Sequence, residues 1–393
     1  MLDSQKQYLP LALKYRPKKF SDLMGQHILV QTLSSAIINQ RIAHAYLLTG
    51  IRGVGKTTSA RLIASIVNCE TPIINGESIA ACGSCNNCKS NTLGNHPDII
   101  EIDAASRTSV DDVRSIIESS EYRPLIGKYK IFIIDEVHMI SKNAFNALLK
   151  TLEEPPAKVI FIFATTEANK IPITILSRCQ RFDLRRLHSS EIEDLLLTIA
   201  KKENIEFDAK AIGLIALKAD GSARDAISMI DQASLLSSAA DIKKITCELV
   251  SSMLAITSID VVISMLDNIL KQDASAALGV LKNLNEQGSD LVYFIENILD
   301  VIGYLSKLSI LPEYEEAEYS EYQSVLKTIA SKNGLEILTI LWQIFSKAIS
   351  ELKTSHNQFL AAEMLILKSI YISHLPTPRE AIESLQNRDL PRQ

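Results

Sequence analysis

The sequence predicts an α/β fold with a parallel sheet at its centre, followed by a carboxyl-terminal half made of packed helices. A phosphate-binding loop lies between a buried strand and a helix, which is the usual start of such a sheet. Further continuous apolar strands follow and end in polar residues, as strands covered on both faces do. From about residue 255 to 372 the chain is periodic and rich in leucine and isoleucine, which predicts packed helices.

Length and composition predict a soluble, intracellular protein of two or three domains. The chain has 393 residues, of which 47% are hydrophobic, enough for sizeable cores. No apolar run approaches the roughly 18 residues that span a bilayer, and the amino terminus lacks a secretory signal, so a cytoplasmic location is expected. The net charge of −5 does not indicate general nucleic-acid binding, so any DNA contact must use a local basic face or an assembled surface.

The first strand, Ala45–Thr49, is followed by a full match to the phosphate-binding loop pattern and by a helix over Thr57–Val67. Backbone N–H groups of such a loop surround the phosphates of a nucleoside triphosphate at the positive end of the helix. Lys56 should reach the β- and γ-phosphates, and the Thr57 hydroxyl should bind Mg²⁺. A mere glycine turn is disfavoured by the strand and helix on either side. The loop residues are Gly50, Ile51, Arg52, Gly53, Val54, Gly55, Lys56 and Thr57.

Four of the six cysteines form a compact cluster that predicts a metal site: Cys69, Cys82, Cys85 and Cys88. Turn-forming residues between them allow four thiolates to converge, and four thiolates suit structural, tetrahedral Zn²⁺. An iron–sulfur cluster is the alternative, although the Cys followed by Pro that is usual for it is absent downstream. Disulfides are not expected in a reducing cytosol. Cys179 and Cys247 are predicted to be ordinary buried thiols.

The strand after the cysteines is predicted over Asp98–Asp103, with a helix over about 109–120. The next strand, Lys130–Ile134, ends in Asp135 and Glu136. Acidic residues at the carboxyl end of a parallel strand face the ligand crevice. Asp135 is therefore expected to hold Mg²⁺, through water, and Glu136 to orient and polarise the attacking water. The alternative, an acidic turn that solvates a strand end, is disfavoured by the phosphate loop upstream.

Another helix and buried strand follow. The helix is predicted over about Asn143–Leu152 and is ended by two prolines, which cannot continue it. The strand, Val159–Ala164, ends in Thr165 and Thr166. These two hydroxyl residues are expected where the γ-phosphate would lie.

Two arginine-containing motifs complete this half, Ser177–Cys179 on a short predicted helix and Gly221–Ala226 in a second helical region. Taken alone, either arginine would be a surface charge.

Taken together, these and the earlier motifs resemble those of the bacterial DNA polymerase III gamma/tau family, the ATPase motor of the sliding-clamp loader. Order and spacing agree from about residue 10 to 235, and beyond about 240 only length and helical character agree. The resemblance is carried by Ala12–Pro17 with Gly25 and Gln26, Gly50–Thr57, the four clustered cysteines, Glu101–Ser106, Asp135–His138, Leu152–Pro156, Ser177–Cys179 and Gly221–Ala226.

The resemblance implies an ATPase domain of the AAA+ type, a helical lid, and a helical collar through which five subunits assemble as an open ring. The implied ATPase domain covers 1–187 and includes a zinc module at about 68–92. The lid covers 188–243, the collar 244–375, and a flexible tail 376–393. The chain stops soon after the collar, which is expected of a gamma-like form or of a shortened tau-like form.

The resemblance also implies residue roles. Thr166 matches the sensor beside the γ-phosphate, with Thr165 as the weaker candidate. Arg178 matches the arginine that is inserted, in trans, into a neighbouring subunit's site, and Arg224 matches the lid arginine that senses nucleotide in its own subunit. The implied catalytic set is Lys56, Asp135, Glu136, Thr166, Arg178 and Arg224, with ATP, Mg²⁺ and structural Zn²⁺ bound.

The implied activity is ATP hydrolysis that opens the sliding clamp and loads it on primer–template DNA during chromosomal replication. The implied partners are copies of the chain, delta-type and delta-prime-type subunits, the clamp, and DNA contacted mostly at its backbone with salt-dependent affinity. No membrane partner is expected. The chain would be a component of the DNA polymerase III holoenzyme without polymerising DNA itself.

Two other functions stay open. A related AAA+ motor, such as one that drives branch migration, would share the nucleotide site, but the cysteine cluster and Ser177–Cys179 favour the clamp loader. A structural subunit that only presents its arginine would not need the complete set of phosphate-loop and acidic residues. The departures from the family pattern are a longer gap between Cys69 and Cys82, and Leu13 in place of an arginine.

The carboxyl-terminal half has no motif, and its apolar residues predict core. Val261–Leu266 and Leu360–Ile370 are predicted to be core faces, and Trp342 is predicted to lie in the core rather than to anchor a partner. The acidic stretch Glu313–Tyr319 is predicted to be a solvated loop, and the residues from about 376 a mobile tail.

Overall fold

The computed structural model describes residues 8–76, 78–106, 110–239, 243–254 and 258–373. The chain divides into two compact units between Cys247 and Glu248. The helices of the first unit are α1 (Leu11–Lys14), α2 (His27–Ile38), α3 (Lys56–Val67), α4 (Asn86–Thr92), α5 (Val110–Ser120), α6 (Lys142–Glu153), α7 (Ile173–Leu176), α8 (Ser189–Glu203), α9 (Ala209–Lys218) and α10 (Ala223–Ala239). Its strands are β1 (Ala45–Thr49), β2 (Ile73–Asn75), β3 (Ser78–Ala80), β4 (Ile99–Asp103), β5 (Lys130–Asp135), β6 (Val159–Thr165), β7 (Gln180–Asp183), β8 (Glu206–Phe207) and β9 (Lys244–Ile245).

The second unit is helical throughout its described part. After α11 (Cys247–Met253), which crosses the division, its helices are α12 (Ile259–Leu270), α13 (Ala274–Glu286), α14 (Leu291–Ile310), α15 (Gln323–Lys332), α16 (Leu335–Thr354) and α17 (Gln358–Ser373). The tail expected from residue 376 lies outside the described residues. No helix in the described ranges combines the length and the apolar character needed to cross a bilayer.

Five parallel strands form the central sheet of the first unit, in the order β4, β5, β6, β1, β7. Every residue of β1 and of β6 is buried, which explains why these strands have continuous apolar sequences. Because the strands are parallel, the carboxyl ends of β1, β5 and β6 meet at one edge of the sheet. The predicted parallel α/β fold is confirmed.

The sheet separates two apolar cores, because successive side chains of a strand point to opposite faces. On one face Tyr46 and Leu48 pack in the same core as Ile63 of α3. On the other face Leu47 packs in the same core as Phe145 of α6. The helices that flank the edge where β1, β5 and β6 end are therefore fixed to the sheet by buried side chains.

The turn after α7 differs from the prediction. α7 ends at Leu176, so the expectation that a helix carries Ser177–Cys179 is wrong. The next strand begins at Gln180 and pairs with Tyr46 of β1, which requires extended backbone directly after Cys179. The chain leaves the helix early for that reason, and Arg178 lies in the turn between α7 and β7.

In the second unit, Trp342 does not lie in the core. Its side chain is 45% exposed, whereas Leu341 and Phe345 on the same helix are fully buried. A helix turns by about 100° per residue, so the position after Leu341 points away from the face that Leu341 buries. The prediction that Trp342 lies in the core is therefore wrong, because hydrophobicity alone does not show which face of α16 a residue occupies.

α17 is also only partly a core helix. Ala362, Leu365 and Ile366 are buried as predicted, but four apolar side chains on the same helix are exposed. Their spacing of four, three and four residues places them on one face. This exposed stripe consists of Leu360, Met364, Leu367 and Tyr371.

The acidic stretch before α15 packs against α14 through a tyrosine side chain. Tyr319 is 5% exposed and stacks on Tyr304 of α14 with ring centroids 4.5 Å apart. The Tyr314 hydroxyl donates to Glu316 at 2.8 Å, and Glu316 pairs with Lys307 at 2.7 Å. The expectation of a solvated loop is therefore wrong for Tyr319, whose ring stacking outweighs the local charge, whereas Glu313 and Glu315 are exposed as expected.

A buried carboxylate fixes the loop that leads into β5. Asp98, which is 1% exposed, accepts hydrogen bonds from the backbone N–H groups of Leu125, Ile126 and Gly127 at 2.7 to 2.8 Å. Burial alone would raise the pKa of this carboxyl, but these three bonds lower it below its usual value. The charged form of Asp98 therefore stabilises the loop at neutral pH.

We expect Asp98→Asn to loosen this loop. The loss of bonds to a charged acceptor should cost about 2 kcal/mol and speed amide exchange at Leu125 to Gly127 about 30-fold at pH 7. The difference from wild type should shrink as the pH falls through the lowered pKa, because protonation removes the same charge. Hydrogen exchange resolved by residue measures this, with the exposed Asp111→Asn as the control. Equal exchange rates at pH 7 would contradict the assignment.

Candidate functional site

The phosphate-binding loop connects β1 to α3 as predicted. Gly55, directly before the first residue of the helix, has φ +105°, a conformation that side chains with a Cβ rarely adopt. A Cβ on Gly53 would stand 1.9 Å from the Ser222 hydroxyl, so this glycine is required by the close approach of the segment before α10. Both glycines are needed for the loop to lie where it does.

The Lys56 side chain folds back over the loop. It is 5% exposed, and its Nζ donates to the carbonyls of Gly50 at 2.9 Å and Ile51 at 2.8 Å. Burial lowers the pKa of this ammonium group, and the nearby carboxylates of Glu136 and Asp135 oppose that shift. The ammonium therefore lies at the loop with acceptors that a phosphate oxygen could replace.

The two residues expected to bind Mg²⁺ are in contact. The Thr57 hydroxyl donates to the Asp135 carboxylate at 2.5 Å, which joins the start of α3 to the end of β5. Mg²⁺ prefers oxygen ligands and is usually bound by one or two protein groups together with substrate phosphates. A hydroxyl and a carboxylate beside the phosphate-binding loop fit that ion.

Glu136 is connected to Thr166 rather than to Thr165. Its carboxylate accepts from the Thr166 N–H at 3.3 Å and from the Thr166 hydroxyl at 3.2 Å. Glu136 itself adopts φ +47°, an uncommon conformation for a residue with a side chain, which turns the chain sharply at the end of β5. The structure thus brings the acidic strand end and the stronger sensor candidate together.

Sequence reasoning missed His138. Its Nδ1 lies 3.0 Å from the hydroxyl of the buried Thr165, and its ring lies between the carboxylates of Glu136 and Glu167 at 3.4 Å each. The imidazole therefore links the end of β5 to the end of β6. The signal in the sequence was its place in Asp135–His138, one of the stretches that carry the resemblance, and that place assigns the histidine no role.

The segment that opens α10 reaches the phosphate-binding loop. The Arg224 N–H donates to the Gly53 carbonyl at 3.3 Å, and the buried Ser222 accepts from the Asp225 N–H at 3.2 Å at the start of the helix. Arg16 is a second arginine close to this region. Burial and the neighbouring Arg61 and Arg224 lower its pKa, against the carboxylates of Glu101 and Asp135.

Arg178 makes its hydrogen bonds elsewhere. Within the described part of the chain, its guanidinium contacts Glu153, the Thr174 carbonyl and the Ser177 hydroxyl, and none of the residues at the phosphate-binding loop. The structure therefore brings together Lys56, Thr57, Asp135, Glu136 and Thr166, with Arg224 beside them, and does not bring Arg178 to the same place.

The four predicted cysteines converge. Their sulfur atoms all lie within 4.8 Å of one another, and the sulfurs of Cys82 and Cys88 are 3.9 Å apart. Tetrahedral zinc with bonds of about 2.3 Å would place its sulfurs about 3.8 Å apart. Backbone N–H groups of Cys82 and Cys85 donate to the preceding sulfurs at 3.3 Å, an outer set of bonds of the kind that supports metal-bound thiolates. The cluster could hold zinc.

The cluster sits against the sheet domain through its first cysteine. The Lys128 ammonium donates to the Cys69 carbonyl at 2.7 Å, and the Asn87 side chain donates to the Asn68 carbonyl at 3.0 Å. Cys69 follows α3, and the β2–β3 hairpin separates it from the other three cysteines. A metal here would tie that hairpin to the end of α3.

Comparison with known protein families covers nearly the whole chain. Residues 25–188 match the family described as DNA polymerase III, delta subunit. Residues 191–238 match the DNA polymerase III clamp loader subunit, ATPase lid domain. Residues 245–385 match DNA polymerase III subunits gamma and tau, domain III.

Similar curated proteins carry related names. The DNA polymerase III subunit gamma of Buchnera aphidicola subsp. Acyrthosiphon pisum is 37% identical over 365 residues, which cover 92% of this chain and 99% of that protein. The subunit tau/gamma of Haemophilus influenzae is 36% identical over 92% of this chain and 51% of its own length. The subunit tau of Escherichia coli is 34% identical over 95% and 57%, respectively. The chain thus spans about half the length of the longer relatives.

We expect one zinc ion per chain, bound by the four clustered thiolates. Cys85→Ser should lose that metal, because a hydroxyl is a poor ligand compared with a thiolate, and should loosen the β2–β3 hairpin. Elemental analysis of the purified protein measures the metal. Cys179→Ser is the matched control and should keep one zinc. Iron in place of zinc, or no metal in the wild type, would contradict the prediction.

Proposed function

Because the chain belongs to the bacterial DNA polymerase III gamma/tau family, we propose that it hydrolyses ATP to open a sliding clamp and load it on primer–template DNA. The observation that carries the proposal is the meeting of the phosphate-binding loop, the Thr57–Asp135 pair and the Glu136–Thr166 pair at one edge of the sheet. Loop, metal-binding oxygens, acidic group and sensor are the parts that phosphoryl transfer to water requires.

In this proposal the residues of one chain bind and orient the substrate. Lys56 exchanges its two loop carbonyls for the β- and γ-phosphates of ATP. Thr57 and Asp135 would hold Mg²⁺, which would supply positive charge for phosphoryl transfer. Glu136 orients the attacking water, and Thr166 connects that carboxylate to the γ-phosphate position.

Two arginines complete the proposed site. Arg224 senses nucleotide in its own subunit, which is supported by its place beside Gly53 of the phosphate-binding loop. Arg178 acts in a neighbouring subunit, which is supported by its separation from the hydrogen-bonded groups of its own site. Such an arginine can raise turnover roughly 10³- to 10⁵-fold, so hydrolysis would require assembly.

Assembly is proposed to use the collar, residues 244–375, in a ring of five subunits with copies of this chain and delta-type and delta-prime-type subunits. The exposed stripe on α17 supports this, since Leu360, Met364, Leu367 and Tyr371 present a continuous apolar face that a neighbouring helix could cover. The clamp and the backbone of primer–template DNA are the proposed ligands of the assembled ring, in the cytoplasm.

We also propose the domain boundaries given by the sequence, with the ATPase domain over 1–187, the lid over 188–243 and the collar from 244. The matched families change at residues 188 to 191 and 238 to 245, which supports these boundaries. A tail over 376–393 completes the proposal. The chain would act within the DNA polymerase III holoenzyme without polymerising DNA itself.

ATP turnover tests the function directly. In a complex with companion subunits, primed DNA and clamp should stimulate hydrolysis, and Arg178→Ala should lower the stimulated rate by about 10³-fold or more while ATP binding is kept. Arg181→Ala, three residues away and paired with Asp183, is the control and should keep the rate. A wild-type rate that ignores clamp and DNA would point to another AAA+ motor. No hydrolysis in the complete complex would point to a structural subunit.

Substitutions in the exposed stripe of α17 test the proposed assembly. Leu360→Asp with Met364→Asp should weaken ring formation at least tenfold, because burying two carboxylates in an apolar contact is costly. Lys282→Asp, an exposed change on α13, is the control and should leave assembly unchanged. Light scattering and sedimentation of the mixed subunits measure the complex, and circular dichroism confirms that the helices remain. Unchanged assembly of the double variant would exclude this face from the interface.

A further inference from the structure

Three acceptors of its own chain fix the orientation of Arg178. Nη1 donates to the Thr174 carbonyl at 2.6 Å and lies 3.3 Å from the Ser177 hydroxyl. Nη2 donates to the carboxylate of Glu153, which also forms an ion pair with it. A free arginine on a turn samples many rotamers, and each of these bonds removes some of that freedom. The guanidinium is thus directed before any partner is present.

Of the three acceptors, only Glu153 comes from outside the α7 turn. It is the last residue of α6, which the following Glu154, Pro155 and Pro156 end abruptly. The carbonyl end of a helix carries partial negative charge, so a carboxylate in the last turn is unfavourable by itself. The cation of Arg178 offsets this repulsion. This attraction stabilises the ion pair although both side chains are partly exposed, Glu153 at 51% and Arg178 at 30%.

The bonding pattern leaves part of the guanidinium available. An arginine carries five N–H donors, and within the described residues the Nε–H of Arg178 has no acceptor. The guanidinium can therefore keep its contact with Glu153 while it donates from the free edge to a phosphate oxygen. Glu153 and the phosphate do not have to compete for the same proton.

We propose that Glu153 is a positioning residue for Arg178: its carboxylate holds the guanidinium at the angle that reaches the γ-phosphate in a neighbouring subunit. This inference rests on the proposed function, in which Arg178 acts in trans. Glu153 touches neither substrate nor reacting atoms in this account. It acts only through the arginine, and its effect is on turnover and not on nucleotide binding.

The expected size of the effect follows from geometry. A misplacement of about 1 Å in a catalytic group can cost about 100-fold in rate. Glu153→Ala leaves Thr174 and Ser177 to hold Arg178, so its loss should be smaller than that of the arginine itself. We expect about 10- to 100-fold lower turnover with an unchanged KM for ATP. Glu153→Gln keeps an oxygen acceptor for Nη2 and should recover most of the rate.

The experiment measures clamp- and DNA-stimulated ATP hydrolysis in the complete complex for Glu153→Ala, Glu153→Gln and the control Glu154→Ala. Glu154 is adjacent, exposed and equally charged, and it has no part in the Arg178 contacts. Its variant should hydrolyse ATP at the wild-type rate. ATP affinity of each isolated chain, measured by fluorescence titration, confirms that every variant is folded and binds nucleotide.

A second comparison separates positioning from a general structural effect. In an Arg178→Ala background, adding Glu153→Ala should cause no further loss, because a residue that acts through the arginine has nothing left to position. A further tenfold loss in that background would overturn the proposal. An unchanged or increased rate for Glu153→Ala alone would also overturn it, and an increase would mean that Glu153 restrains the arginine.

The failure of this inference can be distinguished from failure of the proposed function. If Arg178→Ala abolishes stimulated turnover and Glu153→Ala does not lower it, only the positioning role is wrong. If Arg178→Ala itself keeps the full rate, then the arginine does not act in trans and the proposed function fails first.

Discussion

The parallel pairing of β1 between β6 and β7 is the constraint on which the proposed nucleotide site depends. Parallel strands must all end at the same edge, so the loop after β1, the acidic end of β5 and the two threonines at the end of β6 come together, although up to about a hundred residues of sequence separate them. Buried side chains on both faces keep the strands from sliding, because a shift of one residue would turn apolar groups such as Phe161 to the wrong core. The register thereby sets the distances in the site.

Features governed by neighbours in sequence were predictable. The sequence alone predicts β1 at Ala45–Thr49 and the glycine-rich loop after it, because both depend on the local apolar pattern and on glycines that permit unusual backbone. The convergence of Cys69 with Cys82, Cys85 and Cys88 was equally predictable from the sequence, since close spacing limits how far the sulfurs can separate. Thr57 and Asp135 required one more assumption, that their strands are parallel.

Features decided by distant partners were not predictable. Trp342 and Leu360 are hydrophobic, but which side of their helices faces the core depends on helices elsewhere in the sequence. Tyr319 lies in an acidic stretch and is buried because Tyr304 offers a ring to stack on. His138 gains its contacts only when β5 and β6 are adjacent. In each case the deciding interaction joins residues that no local pattern connects.

The contact between Gly53 and the segment that opens α10 makes two parts of the first unit thermodynamically dependent on each other. The Arg224 N–H bonds to the Gly53 carbonyl, and Ser222 fills the space beside that glycine. A change in the loop that moves Gly53 therefore alters its contacts with the segment that opens α10, and a displaced α10 alters the same contacts. Linkage is reciprocal: if a triphosphate favours one orientation of α10 by a given factor, then holding α10 in that orientation strengthens triphosphate binding by the same factor. A force that displaces α10 would in this way change the affinity for nucleotide.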